Sequence, residues 1–333
     1  MAGKSGRTIA NTVESPWKKV VFSWEGVLVL LFIGINILCS IISPVYTLTN
    51  LLRESPKYLA EMFLLFPMAY LLLLGEIDIS VGSIVCLAAT LSCMVSNAGA
   101  PFIVVVLVGI VTGLACGAFN GIITVKFREL PTMIITLGTQ IVFRGIAEIA
   151  LGDGGSVSLT NSAGFKTLNG KVGIFPYSFF LIIITAVVFT VVADRMNYGR
   201  KLYAIGSNAT CSYYSGIKVN RTIFIAFALM GLFAGIAGLF LTSTAYGANT
   251  TTGKGFEMDA IAMAVFGGVA STGGKGKLYG AFISAFIIMC LRIGLGQINV
   301  NSQVILIILG ALLICAVLLP NVTASLKLQK KAN

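Results

Sequence analysis

Long apolar stretches recur along the whole sequence and constrain the fold more than any other feature. Ten mostly apolar segments can be drawn, at residues 24–43, 58–74, 82–97, 101–125, 132–151, 174–193, 222–245, 259–271, 280–296 and 302–320. A helix that crosses a bilayer needs about 20 apolar residues, and only helices or closed barrels satisfy their backbone groups there. We therefore expect an all-α polytopic bundle of about ten transmembrane helices, or eight if the short segments are re-entrant, in which some helices are short or broken.

The share of charged residues is too small to cover a soluble fold of this length. Hydrophobic residues make up 57% of the 333 residues and charged residues 11%, whereas a soluble domain carries about 25% charged residues. The net charge is +11, but the basic residues lie in short stretches and do not form the clustered basic face that nucleic-acid binding requires. We expect a multi-pass protein of the bacterial plasma membrane that contacts lipid and binds no nucleic acid.

Lysine and arginine are distributed unevenly between alternate connections. If the N-terminus lies in the cytoplasm and all ten segments cross, sixteen of these residues fall inside and five outside. Cytoplasmic loops of membrane proteins carry this excess, so both termini are predicted to be cytoplasmic. The predicted organisation is a cytoplasmic segment at 1–23, a transmembrane domain at 24–320 that includes a cytoplasmic region at 194–221, and a cytoplasmic tail at 321–333.

Motifs that would supply energy or catalysis are missing from the sequence. No Walker A pattern G-x-x-x-x-G-K-[ST] occurs in the sequence, and the Gly-Lys pairs at 170–171, 253–254, 274–275 and 276–277 are not followed by Ser or Thr. These pairs therefore lack the phosphate cradle and the magnesium-binding hydroxyl. The chain contains no histidine, the residue most often used to move protons near neutral pH. We expect a transport subunit rather than an enzyme, with no cofactor or metal, which draws energy from a partner or an ion gradient.

The polar region at 194–221 has the composition of a contact surface. It carries five basic residues together with several tyrosines, and tyrosine and arginine are enriched at protein interfaces. Asn208 is predicted to cap a short helix over 209–215, which Gly216 would end. We interpret the region as a short helix that lies against a cytosolic partner, and the alternative is a solvated basic loop.

Two glycine-rich interruptions break otherwise apolar sequence. Residues 75–82 contain Glu76, Asp78 and Ser80, and carboxylates at membrane depth usually face a bundle interior or water. The interruption is either a broken helix that lines a cavity or a cytoplasmic turn, and the same two alternatives hold for 266–276. In the fourth segment, glycines four residues apart predict close approach of another helix; they are Gly109, Gly113, Gly117 and Gly121.

Polar residues within later segments are candidates for a solute path. Arg144 and Glu148 are spaced to pair along one helix face, and Glu257 and Asp259 begin the eighth segment. A row of hydroxyl and amide side chains that begins the fifth segment would suit a hydroxylated solute; it comprises Thr132, Thr136, Thr139 and Gln140.

Several ordered blocks carry a family resemblance over about 58–320. They are Gly75–Gly82 (Gly-Glu-Ile-Asp-Ile-Ser-Val-Gly), Phe119-Asn120-Gly121, Leu130-Pro131-Thr132, Thr136-Leu137-Gly138-Thr139, Arg144-Gly145, Gly199-Arg200, 203–208 (Tyr-Ala-Ile-Gly-Ser-Asn), Ser215-Gly216-Ile217 and 257–262 (Glu-Met-Asp-Ala-Ile-Ala) with Gly267-Gly268 and Gly273-Gly274. With them the sequence resembles the ribose-type permease family of ATP-binding-cassette importers. Glu76 stands where this family commonly has Gly, and Thr132 where it commonly has Pro.

The resemblance implies a permease dimer, a pair of cytosolic ATP-binding-cassette ATPases and an extracytoplasmic solute-binding protein. It also implies that 194–221 couples to the ATPase, through Gly199, Arg200, Tyr203, Ala204, Ile205, Gly206, Asn208, Ser215 and Gly216. The candidate translocation path comprises Glu76, Asp78, Ser80, Asn120, Thr136, Thr139, Gln140, Arg144, Glu257 and Asp259.

The expected solute is a small sugar of the ribose, xylose or galactose class, and the alternatives within the family are autoinducer-2 or a polyol- or nucleoside-like molecule. A different class remains open, an ion-coupled secondary transporter powered by Glu76, Asp78 or Glu257.

Overall fold

The computed structural model describes residues 23–301, 303–312 and 314 of the protein. Most of the predicted segment 1–23, the end of the tenth apolar segment and the predicted tail 321–333 lie outside the described residues. Within that part of the chain the fold is helical apart from two small strand pairs.

Helices connected mostly by short turns account for the structure. In chain order they are α1 (Trp24–Ile42), α2 (Leu48–Glu54), α3 (Pro56–Leu74), α4 (Val81–Asn97), α5 (Phe102–Lys126), α6 (Thr132–Leu151), α7 (Ala163–Leu168), α8 (Tyr177–Arg195), α9 (Asn197–Ser207), α10 (Ala209–Tyr214), α11 (Val219–Ala245), α12 (Phe256–Phe266), α13 (Leu278–Gln297) and α14 (Gln303–Leu312). The strands are β1 (Ser156–Ser158), β2 (Lys171–Val172), β3 (Phe175–Pro176) and β4 (Gly247–Asn249), and β1 pairs with β4 and β2 with β3, both antiparallel.

Seven helices in the described part of the chain are long and apolar enough to cross a membrane: α1, α3, α5, α6, α8, α11 and α13. Helices α4 and α14 are apolar but shorter. The prediction of an all-α polytopic membrane protein is confirmed. The eighth predicted segment, 259–271, has different bounds, because α12 ends at Phe266 and the chain turns at Gly268, which has a φ of 92° that favours glycine.

Helix α3 forms the centre of the bundle. Its residues from Leu59 to Leu74 are all buried, and it packs against α8, α11, α12 and α13. The hydroxyl of Tyr70 donates a hydrogen bond to the Phe189 carbonyl of α8 at 2.6 Å, which satisfies a polar group that water cannot reach. A helix surrounded on every side carries apolar residues around its whole circumference, which explains the nearly continuous apolar sequence of α3.

Helices α5 and α11 make the most extensive helix pair through facing glycines. A Cβ atom at Gly113 would overlap the Gly231 carbonyl oxygen, and one at Gly117 would overlap the Phe227 carbonyl oxygen. The close approach predicted from the glycine spacing is therefore confirmed, and its partner is α11. Such contacts bring backbones together where side chains would hold them apart.

The bundle has two distinct ends. The α9 end brings together residues 75–77, 127–131, α9, α10 and 267–277: Arg128 Nη2 donates to Asn220 Oδ1 at 3.2 Å, and Gly274 N donates to the Leu73 carbonyl at 2.8 Å. The strand end carries the β pairs and α2, and there Asn97 Nδ2 donates to the Ser158 carbonyl at 2.9 Å.

Residues 246–255 form a re-entrant segment that starts at the strand end and runs into the bundle. The Cys86 thiol of α4 lies 3.5 Å from the Asn249 carbonyl oxygen. Farther along, Gly253 packs so closely on Gly82 that a Cβ atom at Gly82 would overlap the Gly253 carbonyl oxygen. Helix α12 consequently begins inside the bundle, beside the start of α4, and its last carbonyl, at Phe266, accepts a hydrogen bond from Trp24 Nε1 at 3.0 Å.

Candidate translocation and coupling sites

The break between α3 and α4 is held by buried hydrogen bonds around Asp78. Asp78 Oδ1 accepts from Ser80 N at 2.9 Å and from Ser80 Oγ at 2.7 Å. Asn120 Nδ2 of α5 donates to Ser80 Oγ at 2.7 Å and lies 3.4 Å from Asp78 Oδ2. Asp78, Ser80 and Asn120, which we call the Asp78 cluster, have no solvent exposure, so in this conformation they fasten the break to α5 and do not face open space.

The threonine row on α6 packs against the same break. Thr136 Oγ1 donates to the Thr132 carbonyl at 3.0 Å and lies 3.3 Å from the Ile77 carbonyl, and Thr139 Oγ1 donates to the Thr136 carbonyl at 3.2 Å. All three threonines are buried. The hydroxyls of Thr136 and Thr139 donate to backbone carbonyls, as is common in membrane helices, and the path-facing role predicted for these two residues stays a prediction.

Glu76 lies at the α9 end of the break, in a polar cavity of about 380 Å³. Its carboxylate accepts a hydrogen bond from the Thr132 hydroxyl at the N-terminus of α6, where the helix dipole favours negative charge. Its Oε1 is 3.9 Å from Arg128 Nη1. We call this space the inner cavity.

Arg144 and Glu257 both lie beside the re-entrant segment. Arg144 Nη1 of α6 donates to the Thr250 carbonyl at 3.2 Å and to the Thr252 carbonyl at 2.8 Å. Glu257, at the start of α12, is buried, and its Oε2 has no hydrogen-bond partner among the described residues. Gln140 lies on α6 one turn before Arg144 and is half-buried.

The predicted pairing of Arg144 with Glu148 is wrong. In the described part of the chain no ion pair joins these two residues, and the guanidinium instead binds carbonyls of the re-entrant segment. The reason is physical: an irregular backbone inside the bundle must find donors for its carbonyl oxygens, whereas Glu148 is exposed.

The region 194–221 contains two helices rather than one. The side chain of Asn208 caps α10 by accepting from Cys211 N at 2.9 Å, and Gly216 follows the helix with a φ of 81°. The predicted short helix and its caps are confirmed, although α10 ends at Tyr214. Residues 197–207, for which no helix was predicted, form α9.

Helix α9 sits directly on the bundle through its glycines. A Cβ atom at Gly199 would overlap the Ala193 carbonyl, and one at Gly206 would overlap the Leu73 carbonyl oxygen and Gly274 N. Between them Tyr203 donates to the Gly276 carbonyl at 2.9 Å. Burial raises the pKa of the Tyr203 phenol, so the hydroxyl keeps the proton that it donates.

Other residues of the predicted coupling set divide between a buried and an exposed side. Ile205 is buried and Ala204 half-buried, whereas Ser215 and Gly216 are exposed. Arg200 is also exposed and donates to Asn197 Oδ1 at 2.8 Å. The largest exposed side chains are Tyr213 and Tyr214, with 68% and 83% of their surface accessible. Such uncovered aromatic and arginine side chains are typical of a protein contact surface.

Comparison with known proteins decides the family. Residues 59–317 match the family described as the permease component of the branched-chain amino acid transport system. The chain belongs to this family of permeases. The predicted class, a transport permease rather than an enzyme, is confirmed by this membership.

Relatives of this permease are named for the transport of D-allose, ribose or autoinducer 2. It is 35% identical over 75% of its length to the D-allose transport system permease protein of Escherichia coli, covering 76% of that protein. It is 32% identical over 86% of its length to the ribose import permease protein of Bacillus subtilis, covering 91% of it, and 28% identical over 90% of its length to an autoinducer 2 import system permease protein of Klebsiella pneumoniae, covering 92%. No solved structure matches the permease. The resemblance to ribose-type permeases is confirmed.

One charged cluster of the permease contains Asp259, a predicted path residue, and Glu61, which was not predicted from the sequence. Arg292 of α13 contacts both oxygens of Glu61 on α3, at 2.8 and 3.0 Å, and Asp259 Oδ1 on α12 at 2.5 Å. Glu61 is a carboxylate inside an apolar segment, and that alone is a signal for a buried partner. The cluster ties α12 to α3 and α13, so Asp259 is engaged by an arginine in this conformation.

Proposed function

We propose that this permease is the membrane subunit of an ATP-binding-cassette importer and forms the translocation path for a small sugar or sugar-like solute. The observation that carries the proposal is the family match over residues 59–317, together with relatives named for D-allose, ribose and autoinducer 2. The missing Walker A motif agrees with a separate ATPase chain. Within the same family, autoinducer-2 or another polyol- or nucleoside-like solute is the alternative.

We further propose ten spans with both termini in the cytoplasm and a single membrane domain at 24–320. Support comes from the α9 end, because the connections predicted to be cytoplasmic meet there. Arg128 bonds to Asn220, and Gly274 packs on Gly206 through the end of α3. These connections carry most of the basic residues in the described loops, as cytoplasmic loops do.

The proposed partners follow from the two ends of the bundle. The cytosolic ATPase would bind the exposed surface of α9 and α10, which includes Arg200, Tyr213 and Tyr214. An extracytoplasmic solute-binding protein would bind the strand end. A second permease, either an identical copy or a homologue, would complete the path. Coupling then passes through the glycine contacts that seat α9 on the end of α3.

For the path itself, the polar group formed by Gln140, Arg144 and Glu257 is the best candidate for solute contact. It combines an amide, a guanidinium and a carboxylate with an unused oxygen, and these groups match the alternating donors and acceptors of sugar hydroxyls. The Asp78 cluster would then close the path below this group until the break moves. Such broken helices at membrane depth recur at the solute sites of transporters.

The test is uptake by proteoliposomes that contain the permease, its ATPase and its binding protein, with D-ribose and D-allose as solutes. We expect uptake that requires ATP and survives an ionophore. A secondary transporter driven by Glu76, Asp78 or Glu257 would give the reverse result, with uptake abolished by the ionophore while ATP remains. That reverse result would refute the proposed function.

A further inference from the structure

We propose that the inner cavity at the α9 end is a second solute-binding site, which takes neutral polyhydroxylated molecules at the cytoplasmic mouth of the permease. The proposal rests on the proposed function for its orientation and its solute class. It differs from the Gln140, Arg144 and Glu257 group in place, because it lies between the break, the end of α5 and the start of α6.

The first argument is an unused hydroxyl. Thr124 lines the cavity and is 2% exposed, and its Oγ1 has no hydrogen-bond partner among the described residues. Buried hydroxyls without partners are uncommon, because an unsatisfied polar group that is shielded from water destabilises the fold. A ligand that reaches Thr124 would supply the missing partner.

The second argument is the spacing between Glu76 and Arg128. Glu76 Oε1 and Arg128 Nη1 are 3.9 Å apart, too far for a direct hydrogen bond. A hydroxyl oxygen fits between them at about 2.8 Å from each, where it donates to the carboxylate and accepts from the guanidinium. The other guanidinium nitrogens are fixed by Asn220 Oδ1, at 3.2 and 3.3 Å, so Nη1 is held in place. A sugar hydroxyl has both functions and fills this gap better than a pure donor or a pure acceptor.

Size and charge narrow the ligand class. The cavity volume of about 380 Å³ lies within the range of about 300–1,000 Å³ usual for small-molecule sites. Its charged side chains are Glu76, Glu129 and Arg128, which leaves one net negative charge. Neutral polyols are therefore favoured, and a phosphorylated sugar is repelled.

The cavity also touches the coupling region. Arg128 bonds to Asn220 at the start of α11, directly after α10. On its other side the cavity is bounded by Gly75, two residues beyond the Leu73 carbonyl on which Gly206 of α9 packs. A solute in the inner cavity would thus lie against groups that pack next to α9 and α10, which suits a site for release to the cytoplasm.

The test is saturation-transfer NMR on the full chain in nanodiscs, which expose both ends, with D-ribose, D-allose and ribose 5-phosphate as probes. We expect signals from the two neutral sugars and a signal about tenfold weaker from the phosphate. In a Glu257→Gln background, which weakens solute contact at the other proposed site, Glu76→Gln and Thr124→Val should each reduce the neutral-sugar signals about fivefold. The matched control is Asp153→Asn, a carboxylate-to-amide change in an exposed loop at the strand end, which should leave the signals unchanged.

Thr124→Val is expected to fold normally, because it keeps the side-chain shape and removes a hydroxyl that has no hydrogen-bond partner among the described residues. Wild-type protein without a sugar signal, or Thr124→Val and Glu76→Gln proteins with undiminished signals, would overturn the second site. Neither result contradicts the proposed function, which is tested separately by ATP-driven uptake. Conversely, ionophore-sensitive uptake with the predicted NMR pattern would refute the importer and keep the binding site.

Discussion

At Asp78 two donors from Ser80 and one from Asn120 converge on a single buried carboxylate. In an Asp78→Asn variant, one oxygen still serves Ser80, but the new amide group faces the amide of Asn120. We expect uptake to fall about tenfold and the melting temperature to drop, since a buried hydrogen bond that cannot form costs about 1–3 kcal/mol.

A reciprocal change checks this explanation of Asp78. Asn120→Asp in the Asp78→Asn background restores one acceptor opposite one donor, so uptake and melting temperature should partly recover. Uptake by Asp78→Asn equal to that of the wild type would show that the break needs no carboxylate.

Arg292 pairs with two carboxylates from different helices, so its loss leaves two charges uncompensated. Arg292→Gln leaves Glu61 and Asp259 without a cation, and breaking a buried pair from one side costs about 3–5 kcal/mol. We expect a much lower melting temperature, recovered in part by the double variant Arg292→Gln with Glu61→Gln. Arg53→Gln, an exposed arginine at the strand end, is the control. A melting temperature of Arg292→Gln close to that of Arg53→Gln would contradict the assignment.

Sequence reasoning found the residues at the break but not all their partners. The carboxylates of 75–82 were identified because charge in an apolar region is costly, and the structure places Asp78 against Asn120, 42 positions away. The i, i+4 spacing of Arg144 and Glu148 gave a wrong prediction, because it describes only neighbours on the same helix. The carbonyls that Arg144 binds belong to the re-entrant segment. Tertiary contacts of this kind have no local signature.

At the scale of elements, the glycines of α5 and α11 determine how closely two spanning helices pack. Gly113→Leu would drive a side chain into the Gly231 carbonyl, and overpacking costs about 1–3 kcal/mol or more. The matched control is Gly138→Leu on α6, where a Cβ atom meets nothing within 4 Å. We expect a clear drop in melting temperature for the first variant and none for the second. Equal melting temperatures would show that α5 and α11 can separate without cost.

Helix α9 was harder to predict than the spans. The spans follow from length and apolarity alone, whereas α9 contains two glycines and ends beside a capping asparagine, features that usually mark a connection. Its glycines are used for close packing on the Ala193 and Leu73 carbonyls, so tertiary contact outweighs weak helix propensity. The short α12 was misplaced for a related reason: it starts inside the bundle after a polar re-entrant segment, with no apolar boundary to mark it.

The close packing of Gly206 of α9 on the end of α3 gives a prediction about coupling. Gly206→Val would displace α9 from the end of α3, and we expect normal membrane insertion but no solute-stimulated ATP hydrolysis with the partner ATPase. Arg200→Glu should have the same effect by reversing charge on the exposed side. Ala209→Val, at an exposed position of α10, is the control. Normal stimulated hydrolysis by Gly206→Val would remove α9 from the coupling route.

For the whole molecule, the side of the membrane that α9 and α10 face decides whether a cytosolic ATPase can bind them. Among the described cysteines Cys211 is exposed and the others are buried, so it reports which side α10 faces. With Cys315 replaced by Ser throughout, we expect a membrane-impermeant maleimide to label Cys211 in inside-out vesicles and not in intact spheroplasts. Cys211→Ser should abolish the labelling, and Lys171→Cys in that background, at the strand end, should show the opposite pattern. Labelling of Cys211 from outside would place α9 and α10 away from any cytosolic ATPase, and a permease without a nucleotide motif would then need another source of energy.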